Sequence, residues 1–188
     1  MGNLRHFDLS KYGADSFIET GTGKGLGVEY ATSFGFKKVF SIEYVDSLYQ
    51  EALNRFTENN VIILKRVSWE VLEFVFSFKL GKCVFWLDAH LPGVDYGLAD
   101  VSDEKNLDIR MPLIKELETI KKLCNGEYVI LIDDLRFYTK DNFISGNLPD
   151  EFMVKGYEDI LNMFKETHDY KIHLEDDGYL EITPKILV

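Results

Sequence analysis

The chain has 188 residues, of which 46% are hydrophobic and 28% charged, so it can bury one real core and is too apolar for a disordered tail. Its 21 basic and 32 acidic residues leave a net charge of −11, which argues against a phosphate-tracking nucleic-acid groove and against docking on anionic membranes. The opening Met1-Gly2-Asn3-Leu4-Arg5-His6 lacks the apolar stretch of a signal peptide, and no apolar run approaches membrane-spanning length. Cys83 and Cys124 show neither metal nor redox spacing. A single domain over residues 1–188 with reduced thiols, in the cytoplasm, is the expectation.

Residues 1–15 have little pattern and read as a lead-in or cap. Ser16-Phe17-Ile18-Glu19 is a short strand that breaks into Gly21-Thr22-Gly23-Lys24-Gly25, after which Val28, Ala31 and Phe34 fit a short helix ended by Gly35. Residues 38–44 form a second strand ending at Glu43 and Tyr44. Ser47 with Gln50 makes a capping box, and Tyr49, Ala52, Leu53 and Phe56 then share a helical face. Val61–Leu64 is a third strand, nearly all apolar, as a strand covered on both faces should be.

Ser68 can cap a helix from Trp69 to about Leu80 that is apolar on most sides, so another segment covers it or it offers a homodimer surface. Cys83–Leu87 is a fourth strand ending in Asp88-Ala89-His90. Residues 91–110 lack periodicity, as a functional lid would. Pro112 starts an amphipathic helix carrying Leu113, Ile114, Leu117, Ile120 and Cys124. Tyr128–Ile132 is a fifth strand ending in Asp133-Asp134. A second polar loop, 136–155, precedes a helix with Tyr157, Ile160, Leu161 and Phe164 on one face. Alternation through Ile172, Leu174, Leu180 and Ile182 around Asp177-Gly178 signals a hairpin. Strands alternating with helices imply an α/β fold: a doubly wound, mostly parallel sheet closed by an antiparallel hairpin.

In such a sheet, ligands bind beyond the carboxyl ends of the strands. Glycines at 21, 23 and 25 let backbone N–H groups approach a ligand at the positive end of the next helix. Lys24 falls too close to Gly21, and is followed by Gly25, so a P-loop is excluded; G-x-G-x-G also departs from the dinucleotide spacing. Glu43 can accept both ribose hydroxyls of an adenosine ligand, and Ser68 and Trp69 could border the adenine. Three carboxylates at neighbouring strand ends, Asp88, Asp133 and Asp134, repel one another unless protonated or bound to a cation, and hard oxygen donors suit Mg2+.

The run Glu19-Thr20-Gly21-Thr22-Gly23-Lys24-Gly25 closely resembles the first motif of class I S-adenosylmethionine-dependent methyltransferases. The resemblance implies the seven-stranded Rossmann-like fold of that family over nearly the whole chain. It further implies that the loop wraps the amino-acid part of the cofactor, with Glu19 facing its charged end. The strand-end acids resemble those of metal-dependent O-methyltransferases of the macrocin O-methyltransferase group, which carry Asp-x-Asp after strand four and Asp-Asp after strand five. That likeness implies Asp88, Asp133 and Asp134 as metal ligands and puts His90 where the base would be, although His replaces Asp there and the joining segment is long. Imidazole is a suitable base near neutral pH.

The expected cofactor site is then Glu19, Gly21, Thr22, Gly23, Gly25, Glu43, Tyr44, Ser68, Trp69 and Asp88. The expected acceptor is a hydroxylated small molecule or sugar, chosen by the two lids. Arg136 either orients that acceptor or makes a surface ion pair, while His6, His168 and His173 look incidental. Three other readings stay open: metal-free methyl transfer, a nicotinamide-binding module, and a non-catalytic cofactor-binding protein.

Overall fold

The computed structural model describes residues 3–186 and shows a seven-stranded sheet between two helical layers. The strands are β1 (Ser16–Thr20), β2 (Lys38–Glu43), β3 (Val61–Lys65), β4 (Cys83–Leu87), β5 (Tyr128–Ile132), β6 (His168–His173) and β7 (Tyr179–Pro184). Their spatial order is β3-β2-β1-β4-β5-β7-β6; the first five pair in parallel and β7 is antiparallel to both neighbours. This is the doubly wound sheet with a terminal hairpin that the strand–helix alternation implies.

Burial explains why the central strands were readable. β1, β4 and β5 are buried at every position, so each is an apolar run covered on both faces. One layer holds α3 (Ser68–Val75), α5 (Leu113–Leu123) and α6 (Tyr157–Phe164), packed on Ile18, Phe40, Phe85 and Ile130. The other holds α1 (Leu26–Thr32), α2 (Asp46–Arg55) and the lead-in, packed on Phe17, Val39, Trp86 and Leu131. Each large apolar side chain so enclosed contributes about 1.5–3 kcal/mol of transfer free energy. The lead-in is no loose loop: Leu4, Phe7, Leu9 and Tyr12 are all core residues.

Several boundaries differ from the pattern. α2 starts at Asp46 with Val45 as its N-cap, so the Ser47–Gln50 box does not form; Glu43 Oε1 instead accepts from Val45 N at 2.7 Å. Likewise Val67, not Ser68, caps α3, which ends at Val75 rather than near Leu80. α5 covers the inner side of α3, leaving Phe74 half exposed. Phe34 and Phe56 lie just past their helices, although both pack on the core. The hairpin turn is a five-residue loop between His173 and Tyr179, with Asp176 and Gly178 at positive φ, so Leu174 falls in the loop. Cys83 and Cys124 are free thiols that face each other, which their separation in sequence hides.

The two long loops behave differently. Residues 91–110 include the one-turn helix α4 (Leu107–Arg110) and are closed at the base by Leu91 N donating to Arg110 O at 2.8 Å. Residues 136–155 are stapled to the hairpin through Ile144 N to Leu174 O and Ser145 N to Asp176 O, both 2.9 Å, with Phe143 buried beneath Gly178.

Candidate active site at the carboxyl ends of the strands

The glycine loop is held by backbone pairing. Gly21 N and Thr22 N both donate to Ile42 O, fixing the turn to β2 as it leaves β1. Gly21 has φ +84°, and a Cβ there would stand 2.5 Å from Asp88 O, so only glycine lets β1 and β4 diverge at this point. Glu43 braces the loop from β2: its Oε2 accepts from Gly23 N at 2.9 Å. Burial nonetheless raises its pKa above the ordinary value, with these backbone N–H groups offsetting part of the shift.

Beside this loop opens a cleft at the carboxyl ends of the strands. Gly21, Gly23, Glu43, Tyr44, Ser68, Asp88 and His90 all line it. The 91–110 loop supplies Leu91, Pro92, Gly93, Asp95, Tyr96 and Ile109, as its expected position over the site requires. The 136–155 loop supplies none of the walls of this cleft, so the structure does not bring that expected lid to it.

Glu19 and Thr22 face a second cavity, of about 960 Å3, bounded also by Asn3, Leu4, Arg5, Lys24, Tyr30 and Trp86. Glu19 is 2% exposed, and Ser41 Oγ donates to its Oε2 at 2.5 Å. Burial, opposed by that Ser41 hydroxyl, pushes Glu19 up to about 8. Asp88 and Tyr96 line both cavities, so the Tyr96 ring divides them. Two expected cofactor contacts lie off both cavities. Gly25 is the N-cap of α1 and lies against Phe56, while the Trp69 ring turns into the protein, its Nε1 buried and without a hydrogen bond.

The strand-end acids do converge. His90 Nε2 is 2.9 Å from Asp134 Oδ2, and His90 Nδ1 is 3.6 Å from Asp88 Oδ1. Ligand atoms of Asp88, His90 and Asp134 lie within 4.8 Å of one another. Asp133 is turned back toward the chain, its Oδ1 accepting from Asp134 N at 2.8 Å. The compact donor set is therefore Asp88, His90 and Asp134, with His90 inside the set expected to be all carboxylate and Asp133 beside it. Burial and then the Asp133 and Asp134 charges push Asp88 well above its ordinary pKa. Burial acts to lower His90, but the Asp134 carboxylate overrides it and raises the imidazole overall.

Arg136 takes the ion-pair alternative: its Nη1 is 2.9 Å from Asp177 Oδ1, and its Nε is 3.7 Å from Asp134 Oδ1. Glu116 was missed by the sequence reading. It is 1% exposed below His90, and burial pushes it up to about 7 despite the facing Ser68 and Thr20 hydroxyls. Its signal was positional, since Glu116 lies on the apolar face of α5 with Leu113, Leu117 and Ile120.

No protein-family model matches the sequence, and no curated protein matches it closely enough to count as a relative. Solved structures do match. A Staphylococcus aureus protein described as a caffeoyl-CoA O-methyltransferase superposes with a TM-score of 0.61 at 14% identity, over 94% of this chain and 79% of that one. An rRNA methylase from Streptococcus thermophilus gives 0.55 at 14% identity, over 93% and 89%. A Streptococcus mutans protein described as a methyltransferase, in complex with SAH, gives 0.52 at 12% identity, over 91% and 89%. The fold is thus the Rossmann-like α/β fold of methyltransferases. At these identities the likeness is one of fold, and chemistry has to be argued from the site.

Proposed function

We propose that this protein is an S-adenosylmethionine-dependent methyltransferase that methylates a hydroxyl group of a small molecule or sugar, assisted by a divalent cation. The observation that carries the reading is that Asp88 and His90 line the same cleft as Gly21, Gly23 and Glu43. A methyl donor seated on the glycine loop and an acceptor oxygen beside His90 would then share one wall.

Glu43 is placed to receive the ribose hydroxyls, because each of its oxygens keeps accepting capacity beyond the N–H it already holds. The N–H groups of Gly21, Thr22 and Gly23 are held by Ile42 O and Glu43, so the turn would offer a ligand its close glycine backbone rather than free donors. His90 takes the acceptor's proton; Asp134, bonded to the other ring nitrogen, orients the imidazole and stabilises the cation so formed. The freed oxygen forms a bond to the methyl carbon as the carbon–sulfur bond breaks, leaving a neutral thioether. Alignment of the two reactants supplies much of the rate.

The site residues fit a hard cation. Asp133 Oδ2 and Asp134 Oδ1 are buried without a hydrogen bond, and the crowded carboxylates resist ionising together. Asp88 and Asp134 would hold Mg2+, with Asp133 adjoining and His90 left free to take the proton; when bound, the ion would supply positive charge that favours the deprotonated acceptor. A metal-free variant of the mechanism is favoured by the 2.9 Å His90–Asp134 pair, which is already a base with its orienting carboxylate.

Calorimetry with S-adenosylmethionine, S-adenosylhomocysteine and NAD tests the cofactor: binding of the first two and not NAD is expected, and the reverse would overturn the reading. Transfer of labelled methyl to a panel of hydroxylated acceptors, with Mg2+ or with chelator, then separates the two mechanisms.

A further inference from the structure

The lead-in and the terminal hairpin bring together three side chains that methyl transfer does not use. His6 closes the 3-10 turn Leu4–His6, His173 ends β6, and Glu175 lies in the loop between β6 and β7. His6 Nε2 is 3.2 Å from His173 Nδ1 and 3.6 Å from Glu175 Oε2. All three ligand atoms lie within 4.8 Å of one another. Nitrogen and oxygen ligands about 2.0–2.2 Å from a tetrahedral zinc stand roughly 3.3 Å apart. The two spacings from His6 are already of that size, and the third lies within 4.8 Å.

The hydrogen bonds behind the cluster fix its tautomer. His173 Nε2 is 2.8 Å from Glu181 Oε2, and the other Glu181 oxygen accepts from the Tyr12 hydroxyl at 2.8 Å and lies 3.0 Å from Lys11 Nζ. Burial opposes ionisation of Glu181, yet these partners hold its carboxyl below the ordinary value. An ionised carboxylate has no proton to give, so Nε2 carries the hydrogen and Nδ1 presents its lone pair to His6. Burial also favours the neutral ring of His173. A carboxylate behind a metal-binding imidazole is the usual way such a ring is oriented and made more basic. The His6 ring is set by stacking on Tyr179, with centroids 5.3 Å apart and planes 12° from parallel. The Glu175 side chain is 50% exposed, leaving an open side for entry and for a fourth ligand.

We propose that His6, His173 and Glu175 form a zinc-binding clasp, completed by water, that fastens the lead-in to the hairpin. A lone His6–His173 hydrogen bond would explain the 3.2 Å distance, but it gives Glu175 no part beyond a long ion pair with a protonated ring. The clasp has a structural reach. Asn3, Leu4 and Arg5 form part of the wall of the Glu19 cavity, and Asn3 N donates to Tyr179 Oη at 3.1 Å. Zinc at His6 would hold that wall against the sheet.

The test is calorimetric titration of the full chain with zinc chloride in the His90→Ala background, which takes the only nitrogen ligand out of the other donor cluster. About one zinc per chain is expected, with affinity falling at least tenfold in His6→Ala and in Glu175→Gln. Glu181→Gln, which keeps all three ligands, should weaken binding about 10–100-fold. Cobalt chloride should give the intense visible absorption of a four-coordinate ion, and zinc should raise the melting temperature. Glu175 is exposed enough for its variant to fold, which circular dichroism checks. Absence of zinc binding in the His90→Ala chain, or unchanged affinity in His6→Ala or Glu175→Gln, overturns the clasp. Neither result bears on methyl transfer.

Discussion

His90 and His173 each pair with a buried carboxylate, at 2.9 and 2.8 Å, but their surroundings differ. Around His173 the charge is balanced: Glu181 has Tyr12 and Lys11 as well as the imidazole, and its carboxyl is held low. Around His90 it is not. Asp88, Asp133 and Asp134 crowd one imidazole, Arg136 is spent mainly on Asp177, and Asp88 is pushed well above its ordinary range. The first cluster offers nitrogen lone pairs in a settled frame, which suits a borderline metal such as zinc. The second leaves negative charge uncompensated beside a cleft, which suits a hard cation or a proton in transit. The carboxylate behind His173 has its partners in the chain, whereas the acids around His90 crowd one another.

The sharpest break in this comparison is His90→Ala. Turnover should fall about 10²–10⁴-fold, as for loss of a general base, while affinity for S-adenosylhomocysteine by calorimetry stays within about twofold. Glu181→Ala attacks the balanced cluster and should act on stability instead. It strands the Tyr12 hydroxyl and one face of His173, costing about 1–3 kcal/mol in urea denaturation.

Glu19 extends the contrast, being a buried carboxyl with one hydroxyl partner and no cation. Its folded pKa, about 8, lies above the unfolded value of 4.5, so the native state binds more protons between the two. Stability from this group is therefore full at acid pH and lost as pH rises from 4.5 through about 8. Glu19→Gln should flatten that slope and be more stable than the parent near pH 8, by on the order of 1–2 kcal/mol, in denaturation series across pH. The smallest effect belongs to Ser68→Ala. Ser68 Oγ is buried and faces the Glu116 carboxyl, so its loss should cost the unliganded fold no more than about 1 kcal/mol. A fall in cofactor affinity would mark that hydroxyl as a ligand contact.

The same contrast governs what could be read from sequence. Strands such as Cys83–Leu87 and Tyr128–Ile132 announce themselves because burial on both faces forces continuous apolar runs. The glycine loop, Glu43, Asp88 and His90 were legible because each sits at the end of such a run, and topology places strand ends together. Where a competing local interaction decided the outcome, sequence reasoning failed. Ser47 and Ser68 have capping chemistry, yet the chain enters the first helix two residues sooner and the second one residue sooner. His6 and His173 looked incidental because only the antiparallel return of β7 and the packed lead-in bring them together across 167 positions. Glu116 went unread because a lone acid between Leu113 and Leu117 carries no motif, although it falls on the buried stripe of α5.

Tyr96 is the partition between the two cavities, and its hydroxyl occupies the space that a side chain at position 23 would need. Gly21 and Asp88 border both cavities with it, so a molecule spanning the Glu43 and Glu19 sides would pass along these three residues. The phenol belongs to a segment whose two ends are tied by the Leu91–Arg110 backbone bond, so the wall between the cavities is carried by a closed loop.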